Sequence, residues 1–383
     1  MEKKRLEFID YGKSLGILFV LMIHSGMKSL NEYVLFAMPL FFIVSGYVLN
    51  VQNKTLKLFA KNRFARLIVP FWVISILDIL LEIARAYYYR YGNYKIVIPA
   101  LINLLYGSGF KVPDLFGFRE MIVSNIPYEQ PSKQFMDVIL PTNCHLWFLP
   151  SMFVASIIAF AIIKKFQDNK SILFAIMPVL ILIAALESPS EVVQMPYCIG
   201  RGFIGAAFII VGYIVKEIAF FEKGKVSTKL VVFAITSAVA LYFIKVLGIH
   251  GEAMIRSQYG QFGIWSTYLT FLGGIAAAIA VLTLFNILEH VGIGFIGKIL
   301  SLIGQNTMEI YLYQFLGFFV LEVLFFTVSG ESVSPDKHWM SVLPQSAIWF
   351  MFVETIMVIA LIILIKSRTS SSNKGDKGTG SLS

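Results

Sequence analysis

The sequence predicts an all-α fold: a polytopic helical membrane protein of about ten transmembrane helices, with both termini in the cytoplasm. Three observations predict it. Hydrophobic residues make up 57% of the 383 and charged residues only 14%, where a soluble domain carries roughly 25% charged residues. Apolar runs recur along the whole chain, most of them long enough to cross a bilayer. Lys and Arg alternate from loop to loop as an even number of spans requires.

The apolar runs fall at 12–27, 33–49, 65–83, 146–163, 171–186, 197–215, 229–247, 264–288, 307–328 and 345–365. The fifth is short, and a further patch at 96–106 is too short to span and reads as interfacial or re-entrant. Ten-residue alternating segments, which a membrane barrel needs, are absent. With the N-terminus inside, the cytoplasmic segments hold 20 Lys and Arg and the external ones 10, six of those in the single long loop 84–144. Long loops weigh little in this rule. The net charge of +9 therefore reads as topology, with the lipid bilayer as partner and no nucleic acid.

Residues 1–366 read as one transmembrane domain and 367–383 as a disordered polar cytoplasmic tail. No cleavable signal peptide is expected, because Lys13 and His24 flank and interrupt the first apolar run. No internal repeat is visible, which disfavours transporter folds built from duplicated halves. Cys144 and Cys198 both fall near the outer face, and their spacing leaves pairing open.

A charge inside a bilayer is costly, so each ionisable residue in a span is a functional candidate. Lys13 and His24 are 11 residues apart, roughly 1100° of helix, so they share a face about 16 Å apart along the axis. Asp10 and Ser14 lie close to that stripe. Lys13 also suits a snorkelling anchor, and His24 a helix-end histidine near the headgroups. At the third span, Arg63 and Arg66 are i, i+3 and share a helical face. Two guanidiniums there could hold a phosphate, although ordinary positive-inside charge also explains them.

Asp78 and Arg201 sit in outer halves of spans and read first as a structural salt bridge, with His24 as another partner. Glu322 and Glu354 are intramembrane without a nameable partner. His145 opens the fourth span and reads as part of an aromatic belt with Trp147 and Phe148. Asn306 and Glu309 are spaced like a capping box. The external tyrosines of 85–95 suit either sugar stacking or a headgroup belt.

Five segments in order carry a resemblance: FIDYGKSLGILFVLMIHS (8–25), FAMPLFFIVSGYVL (36–49), NRFARLIVPFW (62–72), HLWFLPSMF (145–153) and IGQNTMEIYLYQF (303–315). Together they resemble the acyltransferase family 3 of membrane proteins, in its bacterial polysaccharide and sugar O-acetyltransferase branch. Between about 165 and 300 the match is in hydropathy alone. The resemblance implies a multi-pass protein of the cell (cytoplasmic) membrane that moves an acyl group, acetyl by analogy, from cytosolic acyl-CoA to a hydroxyl of a surface polysaccharide or lipid-linked sugar. Acetyl-CoA is then a co-substrate, and no tightly bound cofactor or metal is expected.

Residue by residue, the family's basic residue and histidine of the first helix fall on Lys13 and His24, where many members have arginine at the first position. Its paired arginines fall on Arg63 and Arg66, its FFxxSG segment on Phe41, Phe42, Ser45 and Gly46, and its ninth-span glutamate on Glu309. Where many members have a closing histidine this chain has Gln314, so no base role goes there. His24 is the expected general base, since a histidine exchanges protons near neutral pH. Lys13, Arg63 and Arg66 are the expected donor-binding cations, with Asp10, Ser45, His145 and Glu309 in support. Transient acylation of His24 is an open second route. The rival from another class is a transporter or flippase for a lipid-linked or anionic substrate, with the cationic stripe as its path.

Overall fold

In lipid a chain satisfies its backbone polar groups only by helix or closed barrel, and this chain uses helices. The computed structural model describes residues 5–24, 28–52, 54–89, 97–107, 144–187, 195–249 and 262–314, with single positions 316, 317, 320 and 360 beyond. Among them there is no strand. Glu322, Glu354, the tyrosine-rich 90–95, most of the 84–144 loop, all of the last span but residue 360, and the tail lie outside the described residues.

Helix α1 is Glu7–His24; a 3₁₀ segment Lys28–Phe36 leads into α2, Ala37–Tyr47. Next come α3, Leu56–Arg63, a π-helical turn Phe64–Ile68 and α4, Val69–Tyr89, in one continuous rod. Then follow α5, Val97–Tyr106; α6, Phe148–Phe166; α7, Lys170–Glu187; α8, Ile199–Glu217; and the short α9, Phe220–Lys223. The last named helices are α10, Val226–Lys245; α11, Trp265–Val291; and α12, Gly294–Gln305. The chain turns helical again at 307–314, termed α13 here.

Six of these segments are long and apolar enough to cross a membrane: Leu56–Leu81, His145–Phe166, Lys170–Glu187, Pro196–Lys223, Val226–Lys245 and Trp265–Val291. α1 is as long, but carries Glu7, Asp10 and Lys13 in its first two turns. The second apolar run is divided between the 3₁₀ segment and an 11-residue α2. The rod of the third span starts well before its apolar run. Thr55 caps α3 through Leu58 N–H at 3.3 Å, nine residues before the apolar run, because capping rather than hydropathy sets a helix start. α12 is a 12-residue helix where the charge count places a cytoplasmic loop; it meets α1 through Gly297, against Tyr11, and Gly304, against Asp10.

Consecutive rods alternate in direction, and contacts between distant residues fix which ends meet. At one end Tyr47 donates to Glu222, Lys216 to the Leu49 carbonyl, Lys164 to the Lys54 carbonyl, and buried Lys229 to the Phe221 carbonyl. Phe8 packs on Tyr47 and Phe221 there. At the other end Lys245 meets Glu32 at 2.6 Å. Lys54, Lys57, Lys61, Lys164, Lys165, Lys170, Lys216, Lys223, Lys225 and Lys229 thus fall at one end of the bundle.

The core is set by close backbone crossings. A Cβ on Gly46 would stand 1.9 Å from the Ile209 carbonyl oxygen, and one on Gly212 1.9 Å from that of Ile43. α2 and α8 therefore touch backbone to backbone, the usual device of helices that pack without a hydrophobic driving force. Gly304 does the same for α12 against α1, 2.0 Å from the Asp10 carbonyl oxygen. These two crossings hold α1, α2 and the approach to α13 in register, and the site is built on those three.

Candidate active site

Two groups of polar residues lie along α1, one at each end. At the lysine-rich end Asp10 is buried and accepts from Arg5 Nε at 2.6 Å and Lys13 Nζ at 2.9 Å. Lys13 is thereby steadied on its own helix, one turn from Asp10. Ser14 leaves the stripe: its hydroxyl donates to the Tyr11 carbonyl at 2.7 Å and is fully buried.

Arg63 reaches α2, where its Nη2 lies 3.4 Å from Ser45 Oγ, and its guanidinium covers the Phe59 ring at 5.2 Å. The shared face expected of Arg63 and Arg66 assumed α-helical spacing. The π turn Phe64–Ile68 intervenes, closed by Val69 N–H on the Phe64 carbonyl, and its wider turn increases the angle between the two. Arg63 is half-buried and Arg66 exposed.

On α2 only Phe41 and Ser45 escape burial, four residues apart and so on one face. One turn above Ser45, the Phe41 ring lies against Gly16 of α1 and 5.9 Å from the Phe148 ring of α6. Phe148 lies 5.9 Å from Tyr311 of α13. This aromatic wall joins the cationic end to the second group.

That second group is two imidazoles. His24 Nδ1 is 2.7 Å from Gln314 Oε1, across 290 residues of sequence. Gln314 is fully buried and its Nε2 donates to the Tyr311 carbonyl at 2.9 Å. An amide whose nitrogen is committed to a carbonyl presents its oxygen to the ring, so His24 carries its proton on Nδ1 and its lone pair on Nε2. His145 is buried with its Nε2 3.5 Å from Asp78 Oδ2. Its carbonyl accepts from the Tyr311 hydroxyl, and its ring stands 6.5 Å from the His24 ring at 78°. One helix turn of α13 therefore holds both imidazoles.

Asp78, read first as a partner for Arg201, approaches His145; Arg201 lies over the Trp147 ring at 5.2 Å and near Cys198 Sγ at 3.5 Å. The Cys198 sulfur donates to the Gly107 carbonyl at 3.1 Å; the Cys144 side chain lies outside the described residues. His145 is a buried residue, 4% exposed, rather than a member of an interfacial belt. The Asn306 side chain reaches back to the Leu302 carbonyl at 2.7 Å, and its own carbonyl accepts from Ile310 N–H. It joins α12 to α13. Glu309 is half-buried in the first turn of α13.

The ordered motifs thus occupy one connected wall, and a family model described as an acyltransferase domain matches residues 6–370. The chain belongs to acyltransferase family 3. No curated protein and no solved structure matches it. In this acyltransferase the structure brings Arg63 to Ser45, Lys13 to Asp10 and His24 to His145. Tyr311 was not singled out from sequence, and Gln314, Phe41 and Phe148 were named there without a part in this site. A glutamine inside an apolar segment was the available signal for Gln314, since such residues bond across helices.

Proposed function

We propose that this acyltransferase moves an acetyl group from cytosolic acetyl-CoA to a hydroxyl of a surface polysaccharide or lipid-linked sugar, with His24 as the reacting imidazole. The observation that carries this reading is the 2.7 Å bond from His24 Nδ1 to Gln314 Oε1. It leaves the lone pair on Nε2, the state a base or nucleophile needs. In the simplest form Nε2 takes the acceptor's proton as its oxygen adds to the thioester carbonyl, then returns the proton to the departing thiolate.

The lysine-rich end faces the cytoplasm in this reading, as the positive-inside rule requires. The donor's phosphates meet Arg63, with Lys13 and Arg66 adding charge; a guanidinium holds phosphate oxygens bidentately, which an ammonium cannot. The pantetheine arm runs along the apolar rings of Phe41 and Phe148 toward His24. A family assignment alone leaves donor and acceptor open; the cationic end supports a phosphate-bearing donor, and the depth of His24 supports an acceptor bound from the other face.

Thiol release by the detergent-purified protein tests this, with acetyl-CoA and a panel of free and lipid-linked sugars. Release that needs His24 and rises with one sugar is the expected result. Folded protein that neither binds acetyl-CoA nor releases thiol contradicts the reading and favours transport of an anionic substrate.

A further inference from the structure

We propose that His145, beside Asp78, is a second catalytic imidazole: the acyl group passes through His24, and His145 takes the proton from the incoming acceptor. The inference rests on the functional reading above and divides its chemistry between two rings.

The geometry is on three helices. His24 ends α1, His145 lies in the 3₁₀ turn Cys144–Trp147 that opens α6, and Asp78 is on α4. Each ring has its own oxygen partner, Gln314 Oε1 on His24 Nδ1 and Asp78 Oδ2 beside His145 Nε2. The His24 proton therefore lies toward Gln314 and its lone pair on Nε2, while Asp78 Oδ2, 3.5 Å from His145 Nε2, stands by that ring as a charge neighbour. The centroids are 6.5 Å apart, too far for a ring-to-ring hydrogen bond, which needs heavy atoms about 2.6–3.2 Å apart. The separation is of the width that one reacting carbonyl and one hydroxyl require. Tyr311 locks the pair together, accepting from Gln314 through its carbonyl and donating to the His145 carbonyl through its hydroxyl. A buried carboxylate beside a buried imidazole is costly within a bundle, and an aromatic-belt role needs neither. It is the arrangement that steadies an imidazole as it gains a proton.

The reaction then runs in two balanced steps. First, His24 Nε2 adds to the thioester carbonyl; the N–C bond forms, the C–S bond breaks, and the thiolate leaves and is protonated by solvent. His24 is now an acyl-imidazolium, its Nδ1–H on Gln314. Second, the acceptor oxygen adds to the same carbon while a ring nitrogen of His145 takes its proton. The C–O bond forms, the N–C bond breaks, His24 returns neutral, and His145 releases its proton to solvent. The sum is thioester plus alcohol to ester plus thiol.

The lifetime of the acyl-enzyme tests this without knowledge of the natural acceptor. Purified protein is mixed with acetyl-labelled acetyl-CoA, free donor is removed, and loss of label is followed in water and in hydroxylamine, a nucleophile that needs no general base. The wild type acquires label and loses it to water. His145→Gln acquires the same label, which also reports its folding, and loses it to water on the order of 100-fold more slowly, while hydroxylamine clears both alike. Asp78→Asn lies between them, and serves alone if His145→Gln is not recovered. An unlabelled wild type that still turns over with His24 dependence, or equal lifetimes in wild type and variants, overturns the second imidazole and leaves the role of His24 standing. Undiminished turnover in His24→Ala overturns the functional reading itself.

Discussion

The two ends of the wall along α1 are built differently. At the lysine-rich end the charges are long side chains at partly exposed positions: Lys13 on Asp10, Arg63 at 3.4 Å from Ser45, and Arg66 exposed. At the far end the rings are short, held by partners from distant helices, and His145, Asp78 and Gln314 are each less than one-tenth exposed. Long cations adapt to a ligand and lose rotamer freedom when they bind it. Short rings held by partners are already in place before a ligand arrives, which suits reacting groups. Under the proposed function, the contrast corresponds to binding at one end and chemistry at the other.

Five substitutions at four positions sharpen or break that division. His24→Ala comes first: turnover falls by about 10²–10⁴-fold with the donor KM little changed, in steady-state thiol release. Gln314→Leu comes next, with kcat down on the order of 10–100-fold, as when a partner that orients an imidazole is removed; Gln314→Glu loses less, because its carboxyl still accepts the Nδ1–H although it gives up the donor to the Tyr311 carbonyl. Equal loss in Leu and Glu variants would make Gln314 a packing residue only. Arg63→Ala raises the donor KM about tenfold and spares kcat, the pattern of lost ground-state binding. A fall in kcat at constant KM would move Arg63 to the reacting end. Arg66→Ala gives the smallest change, a few-fold in KM that vanishes at high salt, since exposed charges are screened.

The sequence made the first contrast visible in part. Eleven residues between Lys13 and His24 place them on one face by helical arithmetic alone, and α1 keeps that arithmetic throughout. The same arithmetic misplaced Arg66, because nothing local in FARLI announces a π turn. Asp78 and His145 are 67 residues apart and His24 and Gln314 290 apart, so their meeting depends on how helices cross, which period and composition do not encode. Gln314 was passed over because it departs from the histidine expected there; its amide turns out to orient the ring a histidine would otherwise face. α12 was hidden for another reason: at 12 residues it is too short for a span and its lysine resembles a loop charge.

The most direct test of the division is equilibrium binding of acetyl-CoA to purified His24→Ala, beside single-turnover thiol release from the same preparation. Donor affinity within about twofold of wild type, with release slowed by about 10²-fold or more, is the predicted result. Loss of donor binding, or release at the wild-type rate, would contradict the separation of a binding end from a reacting end.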